Sequence, residues 1–261
     1  MRSLSIAGTG MLAQQTNVDV ISNNIANMNT TAYKRQRAEF QDLLYQQVAR
    51  PGAATGGQEA RSASGIQIGA GVRTAGVYRI STQGALTQTD NRYDVAIEGP
   101  GYLQITMPDG TTAFTRAGSL QLSDQGELVN PDGYAIQPGI NIPQGATDVV
   151  ISATGGVQVK VGNDPELQEV GQLELATFVN EAGLEALGGN LFAQTPASGQ
   201  ANIAAPGEPG FGLLRQGFVE ASNVNPVSEI TALITAQRAY EMNSRVVKTA
   251  DEMLATTSQL R

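Results

Sequence analysis

Of the side chains that usually do chemistry, this 261-residue chain lacks two: it has no histidine and no cysteine. Thiol nucleophiles, disulfides, zinc sites built on thiolate or imidazole, and triads that use histidine are therefore outside its reach. Carboxylates remain. Asp94, Glu98, Asp109 and Glu127 could be proposed as the acid and base of a carbohydrate-active enzyme on a β scaffold. Each stands beside a turn or strand edge, where a solvated acid is the ordinary occupant. One glycine run also carries a chemical pattern: Gly8-Thr9-Gly10-Met11-Leu12-Ala13 fits the loose dinucleotide fingerprint. That motif needs a buried strand before it and a βαβ unit after it. Only seven residues precede this run, so no cofactor is expected, nor any catalytic or metal-ligating residue.

The stronger patterns belong to whole elements. Leu233, Tyr240, Val247 and Leu254 recur every seven residues, with Ala236, Asn243 and Ala250 three residues after the first three. Near the other end Leu4, Met11, Val18 and Ile25 form a second series, accompanied by Ala7, Gln14, Ile21 and Met28. Both are coiled-coil seams. The first helix is expected over residues 3 to 28, roughly 39 Å long at about 1.5 Å per residue. Gly8 and Gly10 weaken its first turns. The last begins near Pro226, with Asn225 as its cap, and extends about 33 residues, or roughly 50 Å. Glu241 and Arg245 supply one favourable i,i+4 pair in it.

Between the helices the periodicity changes. Phe40, Leu43, Leu44 and Val48 suggest a short helix within residues 35 to 47. Residues 50 to 65 hold almost no large apolar side chain and read as a linker. After Gly71 a two-residue alternation takes over, as at Leu103, Ile105 and Met107, or Val157, Val159 and Val161. Pro108-Asp109-Gly110, Asp124-Gln125-Gly126 and Pro131-Asp132-Gly133 are turn signals between such strands. Further strands are expected at 93–98, 171–179 and 191–194, a turn or helical piece at 181–187, and a long loop at 195–210. The fold class is thus α+β: long terminal helices forming a coiled-coil-like domain, with a central, mostly antiparallel β domain.

Thirty glycines and a formal charge of -8 complete the picture. With no basic cluster to offset that charge, neither nucleic acid nor direct membrane insertion is expected. Ser3, Ser5, Gly8, Thr9 and Gly10 break any apolar run at the amino end, so export without a cleaved signal peptide is the expectation.

The string from Asn23 to Arg35 resembles the signature of the flagellar basal-body rod and hook proteins. It is carried by Asn24, Ile25, Ala26, Asn27, Asn29, Thr30, Tyr33 and Lys34. The family's usual glycine before the aromatic is Ala32 here, a departure that weakens the expectation of a positive φ at that position. Residues 220–225 and 236–244 resemble the family's carboxy-terminal motif, and 94–102 and 114–120 its central strands, so the similarity covers essentially the whole chain. The resemblance implies a structural subunit, not an enzyme, that self-assembles into a helical homopolymer. The glycine-rich segment after Leu44 favours the distal rod over the hook, and the full-length β body disfavours the shorter proximal rod proteins. The alternatives are such a hook or proximal-rod relative and, remotely, the carbohydrate-active enzyme.

The resemblance further implies that residues 1–34 and 225–261 form the inner tube wall around an export channel. It makes 35–70 a connecting segment with a rod-specific insertion near 46–65, and 71–224 the outer wall. Leu4, Met11, Val18, Ile25, Leu233, Tyr240, Val247 and Leu254 become the assembly interface. The implied partners are further copies of the chain, proximal rod proteins, hook protein, the P- and L-ring proteins and the flagellar type III export apparatus. The implied location is the periplasm-spanning basal body.

Overall fold

The computed structural model describes residues 2–49, 65–162 and 167–259. The chain forms two compact units, and it passes between them four times: one holds residues 1–26, 36–79 and 225–261, the other 27–35 and 80–224. Residues 36–79 thus group with the helices, where sequence reading divided them between a connecting segment and the start of a β domain.

In the first unit α1 (Arg2–Ala26) and α2 (Pro226–Gln259) pack side by side. Gly10 of α1 lies against Asn243, and Asn24 against Glu229, so the two helices are antiparallel. The amino-terminal cap of α2 is the expected one: the Asn225 side-chain oxygen accepts from the backbone N–H of Val227 and Ser228, at 3.1 and 3.2 Å. Neither helix is long and apolar enough to cross a membrane.

Where a short helix was expected, residues 36–49 form strands β1 (Gln36–Asp42) and β2 (Tyr45–Ala49). They return as β3 (Ile66–Gly69) and β4 (Val72–Arg79). Strand β1 pairs with β4, and β2 with β3. The ladder is unbroken between the pairs, because the Leu43 N–H donates to Gly71 O and the Ala70 N–H to Leu44 O. The result is one long antiparallel ribbon from Gln36↔Arg79 to Ala49↔Ile66. Its burial follows period two, with Ala38 and Phe40 inward between exposed Arg37, Glu39 and Gln41. Leu44, which completed the apparent helical spacing, is 89% exposed and belongs to no core. Of the expected linker at 50–65, residues 50–64 lie outside the described residues.

The second unit is antiparallel throughout its registered pairs. Its main sheet runs in the order Glu185–Gly188, Leu191–Ala193, Thr112–Thr115, Tyr102–Thr106, Leu175–Thr177, Asn202–Ala204, with Ile136–Gln137 also on Tyr102–Thr106. Ala146–Ile151, Gly156–Val161 and Gln168–Gln172 form a three-stranded sheet. The alternating apolar residues of both meet in one core that includes Leu103, Ile105, Val157, Val159, Leu173 and Leu175. The three sequence turns lie between paired strands, each with its glycine at positive φ. Three expectations change in detail. The strand at 171–179 is two strands separated at Leu173 and Glu174; 181–187 is a 3-10 turn followed by a strand; and the loop at 195–210 contains the edge strand Asn202–Ala204.

Candidate functional site

The family-like signature divides between the two units at Ala26 and Asn27. On the helical side, buried Asn24 acts as a clamp. Its amide donates to Gln36 O at 2.8 Å, and its carbonyl accepts from the Gln36 N–H at 2.9 Å. One side chain thereby pairs with both main-chain groups of the residue that starts β1, as a neighbouring strand would. The same amide reaches the Glu229 carboxylate at 3.1 Å. That accounts for a buried acid in the first turn of α2, where the helix dipole also favours negative charge.

The other side of the signature is a turn. Thr30 donates its N–H to Asn27 O and its hydroxyl to the Asn27 side chain. Ala32 then adopts φ +57. The left-handed conformation is therefore kept without the family's usual glycine, because the Ala32 N–H donates to Glu220 O at 2.7 Å and fixes the turn. Lys34 follows it into the β unit. Its ammonium donates to Glu220 Oε1 at 2.5 Å and to Thr82 O at 2.9 Å. Arg116 Nε donates to Glu220 Oε2 at 2.5 Å, and the same guanidinium reaches the carbonyls of Ile97, Gly99 and Gly101. A backbone donor from Gly84 completes the carboxylate's shell at 2.7 Å. Glu220 is wholly buried, with Lys34 and Arg116 nearly so. Burial is the largest influence on Lys34 and pushes its ammonium below the usual lysine range, against the pull of Glu220.

The seam residues are not alike in the structure. Leu4, Met11, Val18, Ile25, Leu233 and Val247 are half-buried, whereas Tyr240 and Leu254 are each 44% exposed. On α2 the line of smaller residues is the enclosed one: Ala236 and Ala250 are buried and Asn243 is half-buried between them. Gly10 admits Asn243, since a Cβ there would meet its side-chain nitrogen at 3.0 Å. Among the described residues, Glu241 and Arg245 form no ion pair with each other. Large apolar side chains remain in the open on the ribbon, at Leu44, Tyr45, Val48, Ile66 and Ile68, and on α2, at Val227, Ile230 and Ile234.

Three of the carboxylates weighed for catalysis have local partners. Asp94 is buried and accepts from the Thr89 hydroxyl and the Asn91 amide. Glu98 pairs loosely with Arg215, at 3.8 Å, in solvent. The Thr111 hydroxyl, with the Thr111 N–H, holds Asp109 below the usual carboxylate range. Glu127 is half-buried where its N–H donates to the Ser123 hydroxyl. Gly8 to Ala13 lie within α1, with no strand before them among the described residues. Glu220, Arg116 and Glu229 are the residues that spacing did not single out, because their partners are remote in the chain.

Three family models match the chain. One described as "Flagella basal body rod protein" covers residues 4–34. "Flagellar hook protein FlgE/F/G D1 domain" covers 96–159, and "Flagellar basal body rod FlgEFG protein C-terminal" covers 215–260. Three relatives share the description "Flagellar basal-body rod protein FlgG". The one from Caulobacter vibrioides is 60% identical over the whole of both chains. That from Agrobacterium fabrum is 52% identical over 99% of each. That from Borreliella burgdorferi is 45% identical over 100% of this chain and 99% of its own.

Proposed function

Because this chain belongs to the family of flagellar basal-body rod proteins, we propose that it transmits torque as one repeating part of a helical polymer that joins motor to hook. It is a structural subunit of the distal rod of the basal body. In this reading the terminal helices, packed with coiled-coil-like seams, line the export channel, and the β unit faces outward. The ribbon and the segment near 46–65 lock neighbouring copies so that the tube stays straight. The chain reaches the growing tip through the flagellar type III apparatus. It meets proximal rod proteins below, hook protein above and the P- and L-ring proteins around it, and catalyses no reaction.

The observation that carries the reading is the set of uncovered apolar side chains on the helical unit. Five lie on the far half of the ribbon, and α2 carries others along its length, at Val227, Ile230, Ile234, Tyr240, Met242, Val246, Met253 and Leu254. A two-stranded ribbon is marginal by itself, and apolar groups grouped on one surface mark a contact made with another molecule. Deleting residues 52–65 tests the locking role. The expected product is a folded monomer whose polymers, seen by electron microscopy, are bent or short. Rods as straight as those of the full chain would sink that assignment.

A further inference from the structure

Within residues 220–225, Glu220 holds two cations and Asn225 caps α2. Asn223 stands between them in the chain, and its surroundings are strands of the β unit. Phe218–Glu220 pairs with Leu86–Gln88, and the ladder runs on as the Ala221 N–H donates to Ala85 O. On the other side the Ala32 N–H donates to Glu220 O, and the Asn223 N–H to Tyr33 O at 3.4 Å. Residues 220–223 are thus the middle stretch of three. At Asn223 that stretch gives out and the outer two meet, the Ile80 N–H donating to Arg35 O at 2.8 Å. Strand β1 begins directly after Arg35, and β4 ends directly before Ile80. The half-buried Asn223 side chain fills the fork. Its oxygen accepts from the Arg35 N–H at 2.7 Å, and its amide donates to Ile80 O at 2.8 Å and to Thr82 O at 2.9 Å. One side chain therefore serves the main chain of both outer stretches. A carboxylate could make the first of these contacts but not the others.

We infer that Asn223 is a positioning residue that makes the stretches leading to the crossings at 35/36, 79/80 and 224/225 open and close as one unit. A fork where three strands become two leaves main-chain groups without a neighbour, and from such a place strands fray singly. Here the side chain belongs to the middle stretch and is bonded to both outer ones. Pulling Arg35 away breaks its bonds to Asn223 and to Ile80 together, and pulling Asn223 away frees both outer stretches at once. Groups bonded in this mutual way separate cooperatively. An amide that merely satisfied its own turn would find its partners within a few residues. Those of Asn223 lie 188, 143 and 141 residues away. The inference concerns the single chain and does not rest on the rod-subunit reading.

Native-state hydrogen exchange on the full-length chain, kept dilute and read amide by amide by NMR across low urea concentrations, tests this. In the unaltered chain the Arg35 and Ile80 amides should share one opening free energy and one urea dependence. Two different values overturn the inference. In Asn223→Ala both amides should exchange at least about tenfold faster, equivalent to about 1.4 kcal/mol, and by the same factor. The Ile80 N–H bonds Arg35 O rather than Asn223, so an effect confined to Arg35 would reduce Asn223 to a single hydrogen-bond partner and overturn its role. Asn223→Asp keeps an acceptor for the Arg35 N–H and loses the donors; both amides should again exchange faster, and unchanged protection overturns the inference. Val159→Ala removes apolar volume from the buried core of the same unit and should leave the two amides as they were. If it accelerates them as much as Asn223→Ala does, they open only with the whole unit and the inference falls. Should Asn223→Ala fail to fold, the unaltered chain and Asn223→Asp decide by the same criteria.

Discussion

At Glu220 two cations share a carboxylate with no exposed surface, and this ranks the substitutions around it. Glu220→Gln would leave two buried cations facing a neutral amide and should cost about 3–5 kcal/mol. Lys34→Met keeps the Arg116 pair and removes an ammonium that burial already disfavours, so its cost should be about 1 kcal/mol or less. Urea midpoints check the order, and its reversal would mean that Lys34, not Arg116, holds the carboxylate. A pH series adds the sign. The folded pKa of Lys34 lies below the ordinary lysine value of 10.5, so between the two the unfolded chain binds more protons and stability rises with pH. Relative to Lys34→Met, the unaltered chain should gain as pH climbs towards 10.5; a flat difference would show that Lys34 does not titrate there. Ala32 gives a second case. At φ +57 a β-branched side chain is badly placed, so Ala32→Val should lower stability by about 2 kcal/mol, with Ala32→Gly within about 1 kcal/mol of the original. Equal midpoints for Val and Gly would show that the turn relaxes. Asn24 and Lys34 were legible as a signature, but their tasks were not. The partner of Lys34 lies 186 residues away, and no spacing rule spans such a distance.

The elements were legible wherever a pattern was long and local. Two helices, the cap at Asn225 and three glycine turns follow from periodicity and turn chemistry alone, because the groups that satisfy each backbone lie within a few residues. The ribbon was not, since β1 is held by β4 some thirty residues on and Leu44 imitated a helical stripe while facing solvent. Its continuity depends on Gly71. There φ is +118, and a Cβ would stand 2.2 Å from the Thr9 hydroxyl oxygen of α1. Gly71→Ala should therefore cost about 2 kcal/mol, more than the entropy that alanine saves. Hydrogen exchange should show the loss first in the amides of β2 and β3. Unchanged protection in the ribbon would mean that its halves are held independently.

Charge is distributed unevenly over the whole molecule. The β unit has 16 acidic and 6 basic residues, net -10, while the helical unit has 8 and 10, net +2. Composition reported only the total, because the division depends on which distant segments fold together. In the proposed polymer neighbouring copies each carry a strongly acidic β unit, and like charges repel. Raising salt from about 10 mM to about 150 mM shortens the screening length from about 30 to about 8 Å, so it should lower the critical concentration for polymer growth. Sedimentation across that range checks it, and slower growth in salt would mean that attraction between unlike units prevails over repulsion between like ones.

The four passages of the chain between its units have a mechanical meaning. Domains are commonly joined by one flexible linker, which transmits pull but little twist. Here four covalent crossings, at 26/27, 35/36, 79/80 and 224/225, join the same two units. A single severed peptide at any crossing leaves three in place. In the torque-bearing role proposed above, such redundancy would keep the two units joined after failure at any one crossing.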